Sequence, residues 1–386
     1  MSHFAVSSYD KNNPFLARIA GRHRLTAAAG TKATAYIAID ISGSGLTYTC
    51  GDALGVYPTN DPKRVDALLQ ALHFDGTESV EIAPDNKTSA IRDALATHFM
   101  LSGVTKRFLQ LAHDKATAPI EKAALAAVLA EPDPLAQKAW LEKCEFLDII
   151  ESVPSARFTP QEIVGQLRHL TPRLYSISSS PALHPQQIEL TVAVVRYKTN
   201  DRVREGVCST YLAERAPLGE PVLPVFVTPS HFAPPVDDAA PVIMVGPGAG
   251  IAPFRGFLQD RATRRASGKN WLFFGDQHEA SDFLYKEELF AWRDSGVLTE
   301  LSTAWSRDQE KKIYVQDRMR ERGADVWRWL QEGAFFYICG DAARMAKDVD
   351  AALLSIIVTH GGKTPEDATE YLRQLRRDKR YQRDVY

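Results

Sequence analysis

Val242-Ile243-Met244-Val245-Gly246-Pro247-Gly248-Ala249-Gly250-Ile251-Ala252-Pro253-Phe254-Arg255 is an apolar strand that runs into a glycine-rich turn and then into a helix. The three glycines leave backbone amides bare, and a helix amino terminus carries partial positive charge, so the turn can hold a phosphate or pyrophosphate. The spacing is not Gly-x-Gly-x-x-Gly, because Ile251 takes the sixth position. A glycine-rich strand-to-helix connection also serves simply as a tight turn, so this segment by itself leaves both readings open. Outward from it, apolar runs recur at Trp271 to Phe274, Leu298 to Ser302 and Phe335 to Cys339, with helical patterns between them. That alternation predicts a doubly wound parallel sheet.

The first half follows another grammar. Ile37, Ile39 and Ile41 alternate with other residues, Gly43-Ser44-Gly45 breaks the run, and Leu46-Thr47-Tyr48 resumes it, which predicts an antiparallel hairpin between residues 34 and 57. Asp61-Pro62 is a helix cap with proline at the first helical position, and Val65, Leu68, Leu69 and Leu72 follow at helical spacing. Helical patterns continue to about residue 165. Strand signals return at Leu174 to Ser178, at Ile188 to Val195 and at Val222 to Val227, ahead of the connector Pro234-Pro235-Val236-Asp237-Asp238. A β structure interrupted by helices therefore precedes the α/β segment.

Composition narrows the function. Forty-six basic against 48 acidic residues give a formal charge of −2, which offers no field for nucleic acid or an anionic membrane. The opening MSHFAVSSYDKNNPF has no apolar core behind a basic start, and no stretch approaches the roughly 18 apolar residues of a membrane span, so a cytoplasmic protein is expected. Cys50, Cys144, Cys208 and Cys339 stand singly, which argues against zinc, iron–sulfur or disulfide frameworks.

Arg173-Leu174-Tyr175-Ser176-Ile177-Ser178-Ser179, upstream of the glycine turn, resembles the FAD-binding signature of the ferredoxin-reductase superfamily, and Gly248, Gly250, Pro253 and Arg255 match that family's loop. Further segments agree in order: Gly51-Asp52-Ala53-Leu54-Gly55-Val56, Gly206-Val207-Cys208-Ser209, Ala304-Trp305-Ser306-Arg307-Asp308-Gln309, Tyr314-Val315-Gln316-Asp317, Cys339-Gly340-Asp341 and Arg380-Tyr381-Gln382-Arg383-Asp384-Val385-Tyr386. Together they resemble the reductase half of the diflavin reductases, the sulfite reductase flavoproteins among them, over nearly everything after residue 34. Cys50 stands where that family usually has proline before Gly-Asp.

The resemblance implies an α/β multi-domain protein. An antiparallel β-barrel FAD domain (1–61 and 166–235) carries a helical connecting insertion (62–165), and a doubly wound parallel-sheet NADP-binding domain (236–386) follows. It places Arg173 on the FAD pyrophosphate, Leu174 and Tyr175 on the flavin, and Ser176 near flavin N5. Thr191, Val192, Ala193 and Tyr197 lie along the flavin and its adenosine, and Gly206, Val207, Cys208 and Ser209 hold the second side of the pyrophosphate. Cys339 and Asp384 join Ser176 around the hydride path, and Tyr386 stacks on the flavin until nicotinamide displaces it.

Cofactor choice poses a conflict. Asp276 lies where a dinucleotide fold puts an acid on the ribose of NAD, repelling a 2'-phosphate. In the ferredoxin-reductase arrangement the adenosine lies instead beyond the third strand, where Ser306, Arg307, Lys312, Ile313, Tyr314, Val315 and Gln316 stand, with Asp348 further on. A hydroxyl, two cations and an aromatic ring suit a 2'-phosphorylated adenosine, so the expected cofactors are FAD and NADPH.

Diflavin reductases carry a flavodoxin-like FMN domain ahead of the helical region. Here the residues before the first strand signal show no pattern, and the expectation is that this domain is missing. A separate acceptor then receives the electrons: the haem subunit of sulfite reductase, or a flavodoxin or ferredoxin. A general NADPH–flavodoxin or ferredoxin reductase and a non-turnover FAD-binding scaffold are the alternatives. The basic residues Arg373, Arg376, Arg377, Lys379 and Arg380 read as an acceptor-steering patch or a solvated helix face.

Overall fold

The computed structural model describes residues 9–84 and 87–386. Its strands in chain order are β1 Phe15–Arg24, β2 Thr34–Asp40, β3 Ala53–Val56, β4 Ser79–Ile82, β5 Lys87–Ala90, β6 Arg173–Ser176, β7 Gln187–Ala193, β8 Arg196–Thr199, β9 Arg202–Glu205, β10 Leu223–Thr228, β11 Val242–Val245, β12 Asn270–Asp276, β13 Glu300–Trp305, β14 Phe335–Gly340 and β15 Tyr381–Val385. They fall into two compact units.

The first unit comprises the residues up to Val56, Leu174–Val194 and Ala216–Tyr386. Its antiparallel sheet runs in the order β6-β3-β10-β1-β2-β7. The two ends meet, because Ile177 bridges Leu190 and the Ser178 amide donates to the Glu189 carbonyl at 2.8 Å, so the sheet closes into a barrel. β1 serves two neighbours: it pairs β10 at its start and β2 beyond, with a bulge between Ile19 and Gly21.

Downstream, a parallel sheet has the order β13-β12-β11-β14-β15. Its strands alternate faces. Ile243, Val245, Trp271, Phe273, Phe336 and Ile338 pack on one side with the Met345–Gly361 helix; Val242, Met244, Leu272, Phe274, Tyr337 and Cys339 pack on the other with Phe254, Phe257 and Leu258 of the Ala252–Arg264 helix. Both faces are buried, which is why these strands read as continuous apolar runs.

The second unit comprises Tyr57–Arg173 and Val195–Arg215. Asp61 caps the Pro62–Leu72 helix by accepting from the Lys63 amide at 2.9 Å, and Val65, Leu68, Leu69 and Leu72 turn into the core, as their spacing predicts. The β8–β9 hairpin is tied down by Arg204, which is 4 % exposed and donates to Glu145 at 3.0 Å and to Asp148 at 2.5 Å. Among the described residues no helix is long and apolar enough to cross a membrane.

The sequence reading needs four amendments. No hairpin spans 34–57: Leu46-Thr47-Tyr48 form no strand, β2 pairs β1 and β7, and β3 pairs β10. Tyr48 turns inward instead, its hydroxyl 2.9 Å from Ser179 Oγ. The stretch read as unpatterned contains β1, whose change of partner at a bulge breaks the alternation. Within 62–165 a small β4–β5 hairpin joins the helices. The parallel sheet has a fifth strand, β15, formed by the segment read only as a terminus.

Candidate active site at the strand ends of the first unit

The glycine turn leaves β11 at the point where the sheet order reverses, with β12 on one side and β14 on the other, which is where open α/β sheets bind ligands. Gly248 has φ +57°, a backbone setting that favours glycine. A Cβ on Gly250 would stand 2.2 Å from the Cys339 carbonyl oxygen. The turn is thus pressed against the end of β14 with no room for a side chain, and its amides open the 13-residue Ala252–Arg264 helix. This cradle fits a pyrophosphate.

Beside it, β14 and β15 pair in parallel with Cys339 opposite Asp384. Ser176, the last residue of β6, donates its hydroxyl to Asp384 Oδ2 at 2.5 Å, and Cys339 Sγ lies 3.7 Å from the same oxygen. The three residues expected around the hydride path therefore meet on one carboxylate. Burial pushes the Cys339 thiol well above its usual 9.0, and the Asp384 charge adds to the shift against a smaller opposing effect of Ser176. Cys339 is accordingly a neutral thiol near pH 7.

Tyr386 is held by its backbone, its amide donating to Gly340 O and its carbonyl accepting from Ala342 N, both at 3.1 Å. Tyr386 is nonetheless 68 % exposed as a residue, and Leu174 is 56 % exposed. An exposed aromatic residue fixed at its backbone fits stacking on a planar cofactor.

Other expected flavin residues are engaged. Thr191 Oγ1 lies 2.7 Å from the Tyr285 hydroxyl, and Val192 is fully buried. Only Ala193 of that trio is exposed.

At the β13 end, Ser306 is anchored twice to Asp276 O, by its amide at 2.9 Å and its hydroxyl at 3.2 Å, and the Arg307 amide donates to Gln277 O at 2.9 Å. Gln316 Nε2 reaches Asp348 Oδ2 at 3.5 Å. Tyr314 is 44 % exposed. Ile313 is partly buried against the core, and Val315 is buried in it. The Arg307 and Lys312 side chains make no hydrogen bond or ion pair among the described residues. Unpaired cations beside an exposed ring fit a phosphorylated adenosine.

Asp276 does not carry the conflict the sequence raised. Lys32, from the β1–β2 loop, pairs with its Oδ1 at 2.5 Å, and the Asp276 side chain is only 2 % exposed. Thr31 donates to Gln277 Oε1 alongside, at 2.9 Å. No sequence signal announced Lys32, which lies in a loop 244 residues from its partner.

Arg255, matched as part of the glycine loop, points away from it. It pairs with Glu189 on β7 and with Glu288 at 2.8 Å, and donates to Ser178 O at 2.9 Å. It bolts the nucleotide half to the barrel.

Four of the five basic tail residues are already engaged by neighbouring groups. Arg373 and Arg377 pair with Glu370, Arg376 lies 3.6 Å from Asp350, and Arg380 donates to the Leu330 and Ala334 carbonyls.

In the second unit, the Arg173 side chain has no partner among the described residues. Tyr197 on β8 is 52 % exposed. A Cβ on Gly206 would meet Ser209 Oγ at 2.7 Å. Ser209 donates to Gly206 O at 3.2 Å and accepts from the Val195 amide at 3.1 Å, so its hydroxyl closes the turn. Val207 and Cys208 lie in the short helix that follows, with Cys208 buried.

A closed antiparallel barrel followed by a doubly wound sheet, with a glycine turn at the switch point and a Ser-Asp-Cys cluster beside it, is a two-domain α/β architecture of the ferredoxin-reductase kind. The FAD binding domain family matches residues 7–211, and the oxidoreductase NAD-binding domain matches residues 244–351. The chain belongs to the FAD binding domain family and also carries an oxidoreductase NAD-binding domain.

Curated relatives are more particular. The sulfite reductase [NADPH] flavoprotein alpha-component of Serratia proteamaculans is 44% identical over 380 residues, covering 98% of this chain and 62% of the relative. The proteins of the same name from Pectobacterium atrosepticum and Bacillus subtilis are 45% and 43% identical, over 98% of this chain and 61% and 62% of theirs. The chain thus spans about three fifths of the length of the curated relatives it matches.

Proposed function

We propose that this chain is an NADPH-dependent flavoprotein reductase that passes electrons from NADPH through FAD to a separate protein acceptor, the haem-containing component of a sulfite-reducing system. The observation that carries the reading is the Asp384 carboxylate shared by Ser176 and Cys339 beside the glycine turn. Held there, FAD and NADPH would supply the chemistry, hydride transfer from the nicotinamide to the flavin. The protein supplies alignment and polarity.

Ser176, its proton directed at Asp384, offers oxygen lone pairs to the reacting edge. Cys339, kept neutral by burial, lines the path without adding charge. Tyr386 would stack on the flavin where the nicotinamide is to come, and Leu174 and Tyr175 would hold the same ring. Since the side chains of Thr191 and Val192 are engaged or buried, these two serve through their backbone, with Ala193 beside them. Arg173 and the Gly206-Val207-Cys208-Ser209 turn serve the FAD pyrophosphate, and Tyr197 the adenosine. Gly248 and Gly250 serve the NADPH pyrophosphate, whereas Ser306, Arg307, Lys312, Ile313, Tyr314, Val315, Gln316 and Asp348 form the 2'-phosphoadenosine end. In domain terms, 1–61 with 166–235 is the FAD barrel, 62–165 the connecting insertion and 236–386 the NADPH domain.

The test is anaerobic electron flow from NADPH through the purified protein to a sulfite-reducing haem protein, with and without flavodoxin. The expected outcome is flavin bleaching by NADPH followed by haem reduction. Bleaching without haem reduction under either condition removes the sulfite assignment and leaves a reductase for another acceptor. No bleaching at all leaves a scaffold.

A further inference from the structure

β15 is a five-residue strand at the edge of the parallel sheet, hydrogen-bonded to β14 alone. It nevertheless carries Asp384, on which Ser176 and Cys339 converge. An edge strand has a ladder on one side only, and a slip of one residue turns every side chain to the opposite face. Something must hold this one.

Side chains alternate along a strand. Gln382 and Asp384 share one face: Gln382 accepts from the Ala233 amide at 3.1 Å, and Asp384 meets Ser176. Tyr381, Arg383 and Val385 share the other, towards the Met345–Gly361 helix. There a single carboxylate, Asp350 of that helix, gathers three donors. The Tyr381 hydroxyl bonds Oδ1, Arg383 Nη1 lies 3.0 Å from Oδ2, and Arg376 Nη2 lies 3.6 Å from Oδ1. Its side chain is 25 % exposed. Arg376 also lies over the Tyr381 ring, 4.9 Å from its centroid. Asp350 touches neither the glycine turn nor the Ser176 cluster, so the reaction as described gives it no part.

We propose that Asp350 is a positioning residue for hydride transfer: by clamping Tyr381 and Arg383 on one face of β15, it fixes Asp384 on the other face against Ser176 and Cys339. This rests on the NADPH-to-FAD reading above. Asp350 therefore acts on the alignment of the reacting edge and not on the binding of either cofactor.

The experiment is anaerobic stopped-flow reduction of the FAD-loaded protein by NADPH and by NADPH deuterated at the transferred position. It compares wild type, Asp350→Asn, Tyr381→Phe, Asp384→Asn and the Asp350→Asn/Asp384→Asn double variant. Tyr381→Phe deletes only the hydroxyl and keeps the ring against Phe336, 5.7 Å away, so it decides the matter if Asp350→Asn does not fold. Both clamp variants are expected to bleach about ten-fold more slowly, with a larger isotope effect, unchanged FAD content and unchanged half-saturating NADPH. The double variant is expected to be no slower than Asp384→Asn alone, because the clamp acts only through Asp384. Clamp variants that bleach at the wild-type rate overturn the proposal, as does a double variant slowed by the product of the single effects. Wild-type flavin that NADPH does not bleach overturns the functional reading and this proposal with it.

Discussion

Lys32 shows how one residue decides what a site accepts. Asp276 Oδ2 lies 3.5 Å from where a Cβ on Gly248 would stand, so its carboxylate borders the turn that is to receive an anion. Unpaired, it would repel that anion; Lys32 cancels it. Lys32→Met is expected to weaken NADP+ binding about five-fold, since an ion pair with one exposed partner contributes about 1 kcal/mol at most. The loss shrinks as salt rises. Lys32→Met/Asp276→Asn is expected to recover wild-type affinity, because the double variant removes the charge that Lys32 offsets. Isothermal titration with NADP+ at two ionic strengths checks both outcomes. Asp276 was legible in the sequence as a charge in a critical place, but its neutralisation was not, since the partner loop comes from the other end of the chain. Ser176, Cys339 and Asp384 were legible because family motifs mark them individually; that one carboxylate joins them is a matter of three-dimensional distance.

At the scale of elements, what the sequence discloses depends on how regular the element is. The Pro62–Leu72 helix announces its cap, its first proline and its buried face, and β11, β12 and β14 announce themselves as apolar runs because both faces are covered. β1 does not, since it changes partner at a bulge and so breaks the period-two pattern. β15 is short and charged because it is an edge strand, and charged edges resist unwanted pairing. The glycine turn was ambiguous as sequence, and packing explains why it needs its glycines. With the Cys339 carbonyl 2.2 Å from a Cβ on Gly250, that position tolerates no side chain unless backbone moves. Gly250→Ala is expected to destabilise the protein by about 1–3 kcal/mol, as overpacked sites do. It is also expected to abolish measurable NADP+ affinity while FAD stays bound. Calorimetric melting together with flavin content and NADP+ titration separates these effects. Retained NADP+ affinity would mean that the turn is structural only.

At the scale of the molecule, the first unit joins a barrel to a parallel sheet, and a buried charge cluster lies where the two halves meet. Arg255 is 9 % exposed and Glu189 3 %. Tyr36 donates to Glu189 at 2.6 Å, Gln187 at 2.9 Å, and His184 lies 3.5 Å away. Burial alone would raise the Glu189 carboxyl, but Arg255 and the Tyr36 hydroxyl outweigh it and hold the group below its usual 4.5. A carboxylate depressed in the folded state contributes stability that is present above the unfolded value and lost as pH falls through the folded one, so in the wild type this contribution fades only below about pH 4.5. Arg255→Met reverses the sign. With its cation gone and its burial kept, Glu189 is left as an uncompensated charge, its carboxyl rises above 4.5, and its ionisation opposes folding at neutral pH. The variant is expected to be less stable by about 3–5 kcal/mol at pH 7.5, the usual cost of breaking one side of a buried pair. Part of that loss returns on acidification, so the variant gains on the wild type between pH 7.5 and 5.5. Arg255→Met/Glu189→Gln, lacking the stranded carboxylate, is expected to lose that pH dependence. Urea melts of the three proteins across this range decide it: parallel pH curves for wild type and Arg255→Met would mean that the cluster does not bind the two halves electrostatically.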